Sequence, residues 1–166
     1  MTPSRAGTKH FTASVLVENR GAFLLLYHRK LGLWLYPGGH VERDEEPQDA
    51  ALRELHEEAA ITAALHPCGA APEMSIAVDA STTAELPMPL SMLCEQIPEA
   101  DGGHHWHIDL IYLARAEDEQ RGRVASDTDA AWVTPDEAAA MNCPAELPLL
   151  MRKAQALLTA ADGQKP

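Results

Sequence analysis

Glu54, Glu57 and Glu58 stand at i, i+3 and i+4 within the run Arg53-Glu54-Leu55-His56-Glu57-Glu58. On a helix this spacing sets three carboxylates on one face. Like charges so placed cost an isolated helix about 0.2–0.5 kcal/mol per pair. A chain that keeps them often holds something positive between them. Ligands that offer only oxygen suit hard cations, Mg²⁺ or Mn²⁺, rather than zinc. Upstream, Pro37-Gly38-Gly39 follows an apolar stretch, and glycine lets backbone come close to a ligand. A loop carrying Glu42 and Glu45 joins these glycines to the helical run.

Taken together, residues 39–61 resemble the Nudix box, Gly-x5-Glu-x7-Arg-Glu-U-x-Glu-Glu-x-Gly-U, in which U is a bulky apolar residue. Gly39 opens the pattern, Glu45 follows after five residues and Arg53-Glu54 after seven more. Leu55 fills the first apolar position, Glu57-Glu58 the acidic pair and Ile61 the last position. Ala60 alone departs, standing where the family has glycine. The resemblance implies an α/β (α+β) fold, a mixed β-sheet sandwiched between helices. It also implies a metal set made of the Gly38 carbonyl with Glu54, Glu57 and Glu58. Of these, Glu54 and Glu57 are the candidate catalytic carboxylates, one of which takes the proton of an attacking water. Arg53 is implied to pair with Glu45 and, with Gly39, to brace the loop against the helix, a support role like that of groups behind other metal ligands. Leu55 and Ile61 belong to the core.

Elements able to position these residues follow in an α/β order. Residues 9–17 and 22–29 read as a hairpin turning at Asn19-Arg20-Gly21. Leu33–Tyr36 forms a short strand into Pro37-Gly38-Gly39. The main helix starts near Pro47, a residue suited to a first helical turn, and runs to about Ala60. Ala59 and Ala60 both propagate a helix well, so residue 60 is expected at an ordinary negative φ. Residues 62–86 carry no clear pattern. Pro87–Ile97 and His105–Ala114 form two strands around a turn at Asp101-Gly102-Gly103, and Ala130–Val133 another. Thr134-Pro135-Asp136-Glu137 has capping-box spacing and opens a short helix. Residues 145–161 form a last helix whose apolar residues are Leu147, Leu149, Leu150, Ala154, Leu157 and Leu158. The expected organisation is one domain over 1–166 with a polar tail at 1–7.

Composition limits the function further. The chain has 166 residues, 46% of them hydrophobic, so it can fill a core. A formal charge of −12 argues against long nucleic acids as partners, though not against a small polyphosphate, because bound cations reverse the local field. No stretch approaches about 18 apolar residues, and no signal peptide is evident, so the expected location is cytoplasmic, away from membranes. Cys68, Cys94 and Cys143 are far apart and read as free, partly buried thiols. The oligomeric state, a homodimer included, is not readable.

The activity implied is metal-dependent hydrolysis of a nucleoside diphosphate linked to another moiety, by water attack on phosphorus. The second reading is a nucleotide-sensing module on the same fold, catalytically weak or inactive. Such relatives usually lose box glutamates and carry a DNA-binding appendage, whereas this chain keeps the glutamates and, at 166 residues, leaves no room for one. Isomerisation of an isoprenoid diphosphate would need a cysteine near the box, and none lies there. Substrate contacts are less legible. Alternation along His104–Asp109 puts His105, His107 and Asp109 on one face and Trp106, Ile108 and Leu110 on the other. The first face reads as a polar wall meeting substrate, as a solvent-facing strand end, or as a second metal site. Glu42 is a further candidate contact. Asp127 and Asp129 are candidates for a late carboxylate, against a solvated loop. Trp34 and Tyr36 either stack on a base or pack in the core.

Overall fold

The computed structural model describes residues 6–68, 79, 81–122 and 129–163. Two long strands organise it. β1 (Lys9–Asn19) and β7 (His104–Arg115) run parallel in continuous register from Lys9↔Trp106 to Glu18↔Arg115. β2 (Ala22–His28) returns from β1 through Arg20 and Gly21 at φ 51° and 79°. This is the two-residue geometry whose twist matches a hairpin. The other edge strands are β3 (Leu33–Leu35) on β2, β4 (Gly38–His40) on β1, β5 (Ala64–Leu65) and β6 (Ser91–Pro98) on β7, and β8 (Ala130–Val133) on β2. All pairs except β1–β7 are antiparallel.

Helices cover both faces of this mixed sheet. Ala13, Val15 and Val17 of β1 point at α1 (Pro47–Ala59), which buries Ala50, Ala51, Leu55 and Ala59. Three alanines on that face let the helix lie close to the sheet. Leu16, Phe23, Leu25, Ile111 and Leu113 point the other way. They meet Ala138 of α2 (Pro135–Ala139) and Leu147, Leu150, Met151, Ala154 and Leu158 of α3 (Leu147–Asp162). Leu55 and Ile61 are fully buried, as expected of core residues. The capping box is present: Thr134 Oγ1 accepts from the Glu137 N–H, and the Glu137 carboxylate accepts from the Thr134 N–H. No helix among the described residues is long and apolar enough to cross a membrane.

The differences from expectation are local. Gly38–His40 is itself a strand, because Gly38 and Gly39 pair with Ser14 and Ala13 of β1. Strand β6 begins at Ser91, after the two prolines of Pro87-Met88-Pro89, which cannot donate to a ladder. Leu149 is 66% exposed, since Leu147, Leu150 and Met151 already fill the buried face of the helix. The largest correction concerns Ala60, which is left-handed at φ 56°, ψ 28°, with its N–H donating to the His56 carbonyl at 2.9 Å. Helix propensity loses to topology there. The chain must turn back at once for Ala64 and Leu65 to pair with Arg115 and Ala114.

A Cβ in that conformation costs about 1–2 kcal/mol, while glycine adds about 0.4–1 kcal/mol of unfolded-state entropy. Ala60→Gly is therefore expected to stabilise the protein by about 0.5–1 kcal/mol in urea denaturation. A loss of stability would show that Ala60 is not strained.

Candidate functional site

Arg53 is the centre of the charged cluster on α1. Its guanidinium grips Glu45 with two bonds, Nε to Oε1 at 2.8 Å and Nη2 to Oε2 at 3.0 Å. Nη1 donates to Glu54 Oε1 at 2.8 Å and to Glu57 Oε2 at 3.3 Å, and Nη2 also reaches the His40 carbonyl at 3.1 Å. One cation therefore ties the loop, the helix and β4 together. The Arg53 side chain is only 26% exposed and that of Glu45 16%. Arg53 holds the Glu45 carboxyl below the usual carboxylate range, with the Glu42 N–H assisting.

Glu58 points elsewhere. The residue as a whole stays solvent-accessible, but its carboxylate accepts the Gly38 N–H at 3.1 Å. Desolvation of that carboxyl raises its pKa, the Gly38 bond opposes, and the charges of Glu54 and Glu57 push it further up. The glycines are needed for space. A Cβ on Gly38 would lie 2.8 Å from the Ser14 Cα, and one on Gly39 would overlap the Glu54 carboxylate. Beside them a cleft of about 230 Å³ is lined by Leu26, Tyr27, His28, Leu35, Tyr36, Gly38 and Glu58.

Tyr36 joins this cleft to a polar row on the α3 side of the sheet. Its hydroxyl donates to Asp109 Oδ2 at 3.3 Å, and Thr12 and Ser14 donate to Asp109 Oδ1 at 3.0 and 2.9 Å. Asp109 is 2% exposed, and burial raises its pKa despite these three donors. Burial also raises Tyr36, with the Asp109 charge second. Glu95 on β6 is pushed up to about 7 by desolvation, then by the charges of Asp109 and Glu146. Sequence reading missed Glu95 and Glu146, because the β6–β7 register that brings Glu95 toward this row has no local signal.

The face alternation along His104–Asp109 holds. His105 and His107 lie on the Asp109 side, while Leu110 packs toward α1. Two histidines not singled out before, His10 and His40, join them: the ring centroids of His10–His105, His40–His107 and His105–His107 are each 4.9 Å apart. Burial first, and then His40, His105 and His10, lower His107 to about 4. Trp34 packs against the α3-side core, leaning on Tyr27 at 5.4 Å, whereas Tyr36 both packs there and lines the cleft. Glu42 is exposed, and its N–H donates to Glu45 at 3.3 Å. Asp129 pairs with Arg29 at 3.1 Å on the surface. Asp127 lies outside the described residues. All three cysteines are free and partly buried.

A mixed sheet between helices, with a carboxylate-rich helix braced by arginine beside a Gly-Gly strand, defines a class. The family model of the NUDIX domain matches residues 8–153, and the chain belongs to the Nudix hydrolases. A NUDIX-family hydrolase from Clostridium perfringens has a similar structure, with a TM-score of 0.73 and 25% identity over 90% of this chain and 97% of that one. The Ap4A hydrolase of C. elegans shares the fold at a TM-score of 0.60 and 24% identity, over 90% of this chain and 98% of that one. In sequence, phosphatase NudJ of Escherichia coli K12 is 43% identical over 56 residues, 32% of this chain and 37% of NudJ. That match therefore spans little more than a third of the relative. Nudix hydrolases generally use divalent metal ions and act on small nucleotide derivatives.

Two expectations follow from the site's electrostatics. Arg53→Ala strands the Glu45 carboxylate and frees the His40 carbonyl, so it should cost about 2 kcal/mol of stability as well as activity. Lost activity at unchanged melting temperature would place Arg53 on the substrate instead. The raised Glu95 pKa also carries a sign. At pH 8 Glu95 is ionised in both folded and unfolded states, and the folded state bears the desolvation of that charge and then its repulsion by Asp109 and Glu146. Between about 7 and the ordinary 4.5 only the folded state takes up the proton, so stability rises as pH falls through that window. Glu95→Gln should therefore raise the melting temperature at pH 8 and lose that advantage at pH 4.5.

Proposed function

We infer that the protein is a metal-dependent pyrophosphohydrolase that splits a nucleoside diphosphate linked to another moiety. The observation that carries this reading is the Arg53 bracket. It holds Glu54 and Glu57 against a Gly-Gly strand whose glycines leave no space for side chains. The donors fit Mg²⁺ or Mn²⁺, because the Gly38 carbonyl and the carboxylates of Glu54, Glu57 and Glu58 offer only hard oxygen. Desolvation first, and then the charges of Glu54 and Glu57, disfavour the ionised Glu58 carboxylate, and a divalent cation would relieve both.

When bound, divalent ions neutralise the diphosphate, acidify a water and orient it. The chain's own groups do the rest. Glu54 or Glu57 takes the proton of the attacking water as its oxygen bonds to phosphorus. The bridging P–O bond breaks, and its electron pair leaves with the departing phosphate. Arg53 and Glu45 keep the helix and loop in register through this step. The cleft beside Gly38, with the Tyr27 and Tyr36 rings in its wall, supplies an apolar and aromatic surface for a nucleoside. Glu42, His105, His107 and Asp127 remain the candidate contacts to the rest of the substrate. The presence of every box glutamate favours catalysis over nucleotide sensing alone.

A screen of (d)NTPs, nucleotide sugars, ADP-ribose, dinucleoside polyphosphates and CoA with added Mg²⁺ or Mn²⁺ tests the reading. Hydrolysis of at least one class is expected, to stop with a chelator and to resume when metal is restored. Glu58→Gln should keep the fold and lower turnover by orders of magnitude. Near wild-type turnover in that variant would remove Glu58 from the metal set.

A further inference from the structure

Four of the chain's eight histidines converge at one end of the sheet, from three strands far apart in sequence. The parallel register sets His10 directly beside His107, and β4 brings His40 opposite Thr12. Ligand nitrogens of His10, His105 and His107 all lie within 4.8 Å of one another. Nε2 of His105 and Nε2 of His107 face each other at 3.0 Å, and Nε2 of His40 lies 3.4 Å from Nδ1 of His10. Tetrahedral ligands at a Zn–N distance of about 2.0–2.1 Å stand about 3.3 Å apart, so these gaps match rings that share one ion.

The orientation of His105 strengthens the match. Its Nδ1 sits 2.8 Å from the Glu99 carboxylate, with the His105 side chain 18% exposed. A carboxylate there fixes Nδ1 as the protonated nitrogen and leaves the Nε2 lone pair facing His107. This carboxylate–histidine arrangement is the one that orients metal-binding imidazoles. Neutral imidazoles select zinc, nickel and copper rather than magnesium, which prefers oxygen. His10 is exposed, so an ion can reach the cluster from solvent.

We propose that His10, His105 and His107 form a second metal site, for a borderline divalent transition ion such as Zn²⁺ or Ni²⁺, with His40 as a fourth imidazole. The site is chemically distinct from the carboxylate face of α1 and does not depend on the hydrolase reading. It is mechanically joined to that face, because the His40 carbonyl accepts from Arg53 while the His40 ring meets the cluster. Occupancy would clamp β4 onto β1 and β7, and would stabilise the folded protein by mass action.

The test uses the full chain, without a polyhistidine tag and stripped of metal, titrated with Zn²⁺ or Ni²⁺ in excess Mg²⁺. Binding is read by calorimetry and by the rise in melting temperature. One ion per chain is expected, with a raised melting temperature, and Glu58→Gln should bind equally well. His10→Gln and His107→Gln should each abolish the tight binding. Glu99→Gln should weaken it by about 10–100-fold. Circular dichroism of each variant shows whether it is folded. Should the histidine variants not fold, NMR of the native protein decides, through selective broadening by Ni²⁺ of the His10, His105 and His107 ring signals. Absence of Zn²⁺ and Ni²⁺ binding in excess Mg²⁺ would overturn the proposal. So would binding that survives in folded histidine variants, or that disappears in Glu58→Gln.

Discussion

One guanidinium holds the carboxylate-rich end of this protein in shape. Arg53 bonds to a loop carboxylate, two helix carboxylates and a strand carbonyl, so three segments of backbone share a single cation. Without it, Glu45, Glu54 and Glu57 would lose the cation that bonds all three. Arginine suits the task better than lysine, because a planar fork can satisfy partners in several directions at fixed angles. The small residues around it follow from this demand. Gly39 must yield its volume to Glu54, and Gly38 must yield to Ser14 for β4 to join the sheet.

The parallel pair β1–β7 is the second constraint, and it operates at longer range. It brings residue 12 beside residue 109, and so creates both the buried hydroxyl–carboxylate network and the histidine cluster. The carboxylate helix was legible in the sequence because its parts are local: a glycine pair, a proline at the helix start, and glutamates at helical spacing. The partners of His105, His107 and Asp109 were not, since strand register across almost a hundred residues leaves no trace in local pattern. Alternation gave the correct face for these three but could not say what stands opposite.

Ala60 shows where local reasoning fails for a different reason. Two consecutive alanines favour continuing a helix, yet residue 60 is left-handed, because the next strand has to start within a few residues. The preference involved is a fraction of a kcal/mol, and sheet closure outweighs it. Leu149 is a milder case of the same kind. It is apolar yet exposed, because neighbours at 147, 150 and 151 already cover the face that meets the sheet.

The edge of β1 that carries the site is divided between two partners. β4 takes residues 12–14, β2 pairs at residues 18–19, and between them Val15 donates to the Pro37 carbonyl. The strands part at this fork, and the cleft beside Gly38 has residues of β2 on one side and the Leu35–Gly38 segment on the other. Its width is thus governed by how far the backbone splays rather than by the bulk of one wall residue. On the proposed reading of this cleft as the nucleoside site, the length of the short link between β3 and β4 would set its width more than any single side chain does. Because Gly38 and His40 follow directly on that link, a change in its length would also shift the strand that Glu58 and Arg53 hold.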